Sequence, residues 1–283
     1  MGIVLGPNRY GKAENRVVRI YRDTARHEIR DLNVSTSLRG DFVEAHVSGD
    51  QSHVLPTDTQ KNTAFAYAKQ HGVTSPEDYA SALGRRLLDA TPSATGARIE
   101  VEEYPWHRIP VAGEGHDHAF VRGDGGVRTT VVDVTADATV VESGLKDLVV
   151  LKSTGSEFKG FLRDDYTTLD DADDRVLATS LTASWRYVPG QHDWNELYVD
   201  IRRRLLEAFA TTYSRALQES LYAMGTAVLE ARTEVAELSF SAPNKHHHLV
   251  DLSPFGIDND GEVFIAADRP YGLIEATVTR EDQ

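Results

Sequence analysis

Residues 54–63 read Val54-Leu55-Pro56-Thr57-Asp58-Thr59-Gln60-Lys61-Asn62-Thr63, and the hydropathy period of the chain changes across them. Before this run, residues 16–23 and 27–47 alternate polar and apolar side chains with turn-formers between, the pattern of a β-hairpin. After it the spacing is helical. Thr57 or Asp58 is the expected N-cap, Gln60 and Lys61 begin a surface turn, and Ala64, Phe65 and Ala68 share one side of a helix over 59–71. The free backbone N–H groups of such a strand-to-helix corner are also able to bind a ligand. A second helix, over 76–90, is opened by Ser75-Pro76-Glu77 and carries Tyr79, Leu83 and Leu87 at helical spacing.

Alternation returns at 97–109, with Ile99 and Val101, and at 128–141, with Val132 and Val134; a Gly-rich stretch at 113–126 separates them. The second half follows the same order. Stretches 145–152 and 177–188 are strand-like, 193–211 and 213–230 helical, and 235–242 and 263–280 strand-like again. Leu197, Ile201, Leu205 and Ala208 form the stripe of the first of these helices. The order β-β-α-α-β-β thus occurs twice, as 1–141 and 142–283, with no Pro-, Gly- or Ser-rich linker; the repeat is one of pattern, not of letters. This predicts an α+β fold of two units, each forming antiparallel sheet with helices on one face. A single copy leaves sheet edges and an uncovered face in water, so a homo-oligomer is expected.

The 283 residues carry 40% hydrophobic and 26% charged side chains, the balance of an ordinary globular protein. Lys plus Arg is 30 and Asp plus Glu is 44, a formal charge of −14, which argues against nucleic acid or an anionic membrane as a partner. A small anionic substrate remains compatible, because a pocket can be locally cationic. The absence of cysteine removes disulfides, thiolate metal sites and a cysteine nucleophile. The apolar part of Met-Gly-Ile-Val-Leu-Gly-Pro is short for a signal peptide, no apolar run approaches the ~20 residues that span a bilayer, and Glu281-Asp282-Gln283 is not a peroxisomal address. A cytoplasmic protein is expected.

Several other segments carry chemistry. Lys12, in Asn8-Arg9-Tyr10-Gly11-Lys12, is either a solvated charge or a lysine that takes up a proton. Asn244-Lys245-His246-His247-His248 invites a metal, but in a strand only His246 and His248 share a face. One histidine acting as a proton carrier, with Asn244 two residues earlier on its face, fits that spacing better. In the stretch from Lys152 to Asp164, followed by Asp174-Arg175, Phe158 is either core or an aromatic platform, and Arg175 either a surface ion pair or a bidentate guanidinium; platform and guanidinium together would hold a planar heterocycle with a carbonyl edge. The Gln218 amide in Leu217-Gln218 can pair with a ring N–H and C=O at once. His116-Asp117-His118 is a further metal candidate, though structural roles suit it better.

Taken in order, these residues resemble the urate oxidases (uricases). The resemblance runs over essentially the whole chain through Tyr10-Gly11-Lys12, Thr57-Asp58-Thr59 with Lys61-Asn62-Thr63, and Lys152-Ser153-Thr154 through Phe158. Gly160-Phe161-Leu162-Arg163-Asp164, Tyr166-Thr167-Thr168-Leu169, Asp174-Arg175, Gln218 and Asn244-Lys245-His246 continue it. It implies a tandem T-fold (tunnelling fold) in a homotetramer around a central channel, with active sites at subunit interfaces. It also implies oxidation of urate by dioxygen to 5-hydroxyisourate and hydrogen peroxide, with neither metal nor organic cofactor. On this resemblance Arg175 and Gln218, beside Leu217, clamp the purine edge, Phe158 stacks on its face, and Thr57 and Asp58 of a neighbouring subunit complete the pocket. Lys12, Thr57 and His246 would form the proton relay, and Asn244 with Thr57 would hold dioxygen or water.

The residue types suit such chemistry. Dioxygen reacts poorly with closed-shell organics, but an electron-rich urate dianion can donate to it once a proton is removed and the oxygen is seated against the ring. Two departures stand out: the C-terminal tripeptide, which points to a bacterial-type cytoplasmic enzyme, and the His247-His248 pair, which could add proton carriers or metal affinity. Two alternatives are a metal-dependent pterin or purine enzyme on the same fold, using the histidine clusters, and a non-catalytic purine-binding protein.

Overall fold

The computed structural model of the chain describes residues 2–281; Met1 lies outside the described residues, as do Asp282 and Gln283 of the C-terminal tripeptide. The chain forms two compact units, Met1–Gly144 and Leu145–Gln283.

The first unit opens with β1 (Tyr10–Tyr21) and β2 (Glu28–Gly40), paired antiparallel. A short helix α1 (Val43–Val47) follows, then α2 (Thr57–Gln70), α3 (Pro76–Asp89) and β3 (Ala94–Glu103). A separate hairpin, β4 (Trp106–Val111) with β5 (Glu114–Arg122), precedes β6 (Val127–Val134). The sheet order is β1-β2-β3-β6, with α2 and α3 laid on one face. Alternation along the strands dictates this: Val17 is 2% exposed and Val18 55%. Val17, Leu32, Val34, Ile99, Val101, Val132 and Val134 all face Ala64, Ala68, Tyr79, Leu83 and Leu87 of the helices.

Strand β7 (Thr139–Lys152) crosses into the second unit, which continues with β8 (Leu177–Tyr187), α4 (Trp194–Thr211), α5 (Leu217–Ala231) and β9 (Val235–Pro243). The hairpin of β10 (His246–Leu249) and β11 (Phe264–Ala267) comes next, and β12 (Leu273–Thr279) closes the sheet in the order β7-β8-β9-β12. Leu197, Ile201, Leu205 and Phe209 of α4 and Leu217, Leu221, Met224 and Val228 of α5 are buried with Trp185, Leu238 and Phe240 of the sheet. Each unit therefore carries a two-stranded hairpin between its third and fourth sheet strands, a feature the β-β-α-α-β-β reading lacks.

Other differences have local causes. Thr57 is the first residue of α2 rather than its cap; Pro56 stands at the cap position without a side-chain bond. Residues 43–47 form α1 instead of extending β2, and Phe65 is 44% exposed although Ala64 and Ala68 are buried. The inner stripe of α2 begins at the fully buried Gln60, four residues before Ala64. The Gly-rich stretch of 113–126 largely forms β5. Ser75 caps α3 as expected, accepting from the Asp78 N–H at 3.0 Å, and Pro76 occupies the first turn. No helix among the described residues is long and apolar enough to cross a membrane.

Glu77, beside that cap, turns inward. Its carboxylate is fully buried and accepts from Arg128 Nη2 at 2.7 Å, Thr130 Oγ1 at 3.0 Å and Ser143 Oγ at 2.6 Å. Both carboxylate oxygens accept hydrogen bonds, one of them from a guanidinium, and this is the condition under which a charge tolerates burial. Glu77→Ala removes the 2.7 Å carboxylate partner of the Arg128 guanidinium, whose side chain is 7% exposed, and leaves it the more distant Glu103 at 3.6 Å. It is expected to lower the unfolding free energy by about 3–5 kcal/mol in a urea titration. A loss below ~1 kcal/mol, the range of an exposed ion pair, would contradict that account.

Candidate active site

In the first unit, Lys12, Thr57 and Asp58 are drawn together by the contact of β1, β2 and α2. Lys12 pairs across the ladder with Thr36, and its N–H donates to Thr36 Oγ1 at 3.4 Å. Thr36 Oγ1 in turn donates to Gln60 Oε1 at 2.8 Å, and Gln60 Nε2 donates to the Leu55 carbonyl at 3.4 Å. One buried amide thus ties the first turn of α2 to the strand opposite Lys12. The close approach requires Gly11, because a Cβ there would stand 1.8 Å from the Thr36 carbonyl oxygen. Asp58 accepts from Lys61 Nζ at 2.5 Å and Asn62 Nδ2 at 3.0 Å. The Lys61 bond holds its carboxyl below the usual range, with the Lys12 charge adding to the effect. Thr57 is half-buried and borders a cleft of 530 Å³ whose walls include Tyr10, Phe42 and Val54.

In the second unit, residues 154–158 are stitched on both sides. Glu157 N–H donates to the Ser214 carbonyl at 2.8 Å and Ser214 N–H to the Gly155 carbonyl at 3.0 Å. On the other side Phe158 exchanges backbone bonds with Ala172 at 2.8 and 2.9 Å, and Arg175 N–H donates to the Ser156 carbonyl at 2.7 Å. Asp174 fastens the corner, accepting from Thr154 Oγ1 at 2.6 Å and the Ser156 N–H at 3.2 Å; the Thr154 bond holds its carboxyl below the usual range. The result is the Arg175 guanidinium 4.9 Å from the centre of the Phe158 ring. Arg175 Nε is buried and finds no hydrogen-bond partner among the described residues. Burial lowers the Arg175 pKa, but a guanidinium stays charged at any ordinary pH.

His246 and Asn244 reach the same region because their segment is sewn to the start of β8. Lys245 N–H donates to the Ala178 carbonyl at 2.8 Å, Asn244 N–H to the Gly272 carbonyl at 2.8 Å, and Thr179 Oγ1 to the Pro243 carbonyl at 2.9 Å. Arg175 precedes β8 by two residues, so its charge acts on His246. The His246 imidazole is pushed below its ordinary value by burial first, then by His248 and Arg175. The Leu217 side chain is 2% exposed in the core, which leaves its backbone for a ligand, while Gln218 is exposed at the second position of α5. That helix starts without a side-chain cap.

The structure thus gathers Lys12, Thr57 and Asp58 within one unit, and Phe158, Arg175, Asn244 and His246 within the other, with Leu217 and Gln218 tied in through Ser214. Gln60, expected at the surface, is buried and with Gly11 and Asp174 holds these groups in place, a role the sequence motifs did not assign to any of the three. Gln60 was legible only through its place four residues before Ala64 and eight before Ala68 on the buried stripe. His116 and His118 lie in a shallow pocket with Arg26 and Asp117, and among the described residues no group of three or more His, Cys, Asp or Glu is placed to hold a metal ion.

Comparison with known proteins gives a consistent result. A family model described as Uricase matches residues 8–133 and 141–275. The chain is 51% identical to a uricase of Arthrobacter globiformis over 279 residues, covering 99% of this chain and 91% of that protein. It is 36% identical to a uricase of Dictyostelium discoideum, with 96% of each chain covered. The crystal structure of the Arthrobacter globiformis uricase superposes with a TM-score of 0.95 at 50% identity, over 100% of this chain and 97% of that one. The tandem tunnelling fold is thereby shown.

The turn that enters α5 carries its own prediction. Glu219 reaches back to the Arg215 N–H at 2.8 Å and to Arg215 Nε at 3.0 Å, and this pairing holds its carboxyl down to about 2, against an ordinary 4.5. A depressed carboxyl favours the folded state when ionised. Its contribution is therefore complete above pH 4.5 and is lost as the pH falls toward 2. Carboxyl-carbon NMR should show Glu219 titrating near 2; a midpoint at 4.5 would contradict the pairing.

Proposed function

The chain belongs to the uricase family, and from that premise we propose that it oxidises urate with dioxygen to 5-hydroxyisourate and hydrogen peroxide, using neither metal nor organic cofactor. The observation that carries the reading is the Arg175–Phe158 pair beside His246. A half-buried guanidinium whose Nε is buried and unpartnered, beside an aromatic ring, suits a flat anion with a carbonyl edge. Arg175 and Gln218, with the Leu217 backbone, clamp the purine edge while Phe158 covers its face. Lys12, Thr57 and His246 carry protons, and Asn244 with Thr57 seats dioxygen or water over the ring.

The chemistry balances without a metal. Urate gives two electrons to dioxygen, which leaves as peroxide with two protons; the stoichiometry then requires one water to supply the new hydroxyl. The protein removes and returns protons, offsets the substrate charge with Arg175 and holds both reactants together. The same proposal includes a homotetramer in which Thr57 and Asp58 of one subunit complete the pocket of its neighbour, each chain contributing two T-fold copies, 1–141 and 142–283. Exposed apolar side chains support association: Val18, Val140, Val149 and Leu151 on the strands, and Leu162, 95% exposed, with Tyr166 and Leu169 in the loop after Phe158. A cytoplasmic, bacterial-type enzyme completes the reading.

Urate absorbance and oxygen uptake followed together, with a chelator present, test it. Expected are urate loss, oxygen consumption and peroxide; loss of activity restored by zinc would favour a metal enzyme, and urate binding without oxygen uptake a binding protein. Lys12→Met and Thr57→Ala should each slow turnover by about 10²-fold or more, with the double change little worse, because relay members act as a unit. Strictly additive losses would contradict the shared relay. Arg175→Ala should raise KM first; an unchanged KM would remove its clamp role.

A further inference from the structure

His246 and His248 stand on one side of β10 with their rings stacked, centroids 5.8 Å apart and planes at 22°. His247 turns away, its Nδ1 lying 3.0 Å from the Lys245 carbonyl. His246 is half-buried and His248 is exposed. Across the ladder His246 faces Ala267 and His248 faces Ile265, and β11, which reads Phe-Ile-Ala-Ala, carries no ionisable side chain. Strand β8 also packs on β10, but its ionisable residues, Arg186 and Tyr187, lie at the end away from Ala178 and Thr179, which hold the Asn244–Lys245 backbone. The charges that act on His246 come from His248 and from Arg175.

We propose that His246 and His248 form a stacked pair of proton carriers, in which His248, the solvent-facing member, exchanges the protons of the relay with water. The inference rests on the reading of His246 as a relay member and adds to it a residue that touches neither substrate nor oxygen. Two imidazolium rings stacked beside a guanidinium repel one another, so a charge on one ring disfavours a charge on its neighbour. A proton taken up by His246 during turnover leaves through His248, and the reverse path reloads it. Only N–H bonds form and break, and no electrons move. Stacked rings do not share a hydrogen bond, so the transfer runs through a water or a ring rotation.

His248→Phe keeps a ring in the stack and removes the proton carrier. The turnover rate kcat should fall on the order of tenfold, below the 10²–10⁴ expected of a group at the reacting atoms, with KM for urate unchanged. The variant should become sensitive to buffer concentration, with imidazole in the buffer restoring the rate, while the unaltered protein stays insensitive. In an NMR titration the His246 midpoint should move up once its neighbour is gone. An unchanged kcat without buffer dependence and with a fixed His246 midpoint overturns the proposal. So does a fall in kcat that imidazole does not restore with the midpoint unmoved, since that describes packing alone. If the unaltered protein shows no urate-dependent oxygen uptake, the functional reading falls by itself, and the NMR shift alone then keeps or removes the pair.

Discussion

An antiparallel sheet with two helices laid on one face is the constraint from which the rest of each unit follows. Burying the helix stripes and the inner sheet face supplies most of the favourable energy, at about 25 cal/mol per Å² of apolar surface. It also fixes where the backbone must turn. Helices can start only at the sheet ends, and there their first N–H groups and polar side chains lie open. Thr57 and Asp58 occupy the first two positions of α2; Leu217 and Gln218 occupy the first two of α5. In both units candidate site residues stand on a corner that the packing makes rigid.

Those corners are held by polar contacts rather than by additional core. Gln60 ties α2 to Thr36, and Gly11 permits the strand contact beside Lys12. Asp174, with the backbone ladder through Ser156 and Ser214, fastens Arg175 above Phe158. Each is a contact between segments distant in sequence, so each fixes a side chain through its neighbours' backbone. The Glu77 network does the same for α3, pinning a helix to its sheet from within.

Charge is distributed to match. The chain carries −14 overall, yet several arginines sit in local clusters with paired carboxylates: Asp31 is shared by Arg16 and Arg122, and Asp200 by Arg203, Arg204 and Arg232. Arg175 differs from these in having no carboxylate partner among the described residues and in acting on a histidine instead. Its buried, unpartnered Nε stands beside the Phe158 ring, a setting that suits an anion on an otherwise acidic protein.

The sequence by itself determined the α+β class, both helix pairs, and the main sheet strands. Period and caps are local properties: Ser75-Pro76 and the Leu197-Ile201-Leu205 stripe announce their helices without help from distant residues. It also marked the residues of the candidate site, through short motifs kept in order. Tertiary structure alone decided that Gln60 and Glu77 point inward, that Phe65 points out, and that a hairpin follows the third strand of each unit. A polar residue at a helix start reads as surface until its partner is known, and Thr36, Arg128 and Ser143 lie 24, 51 and 66 residues from theirs. Periodicity carries no information over such separations, and whether a polar side chain is buried depends on which hydrogen-bond partner the fold brings to it.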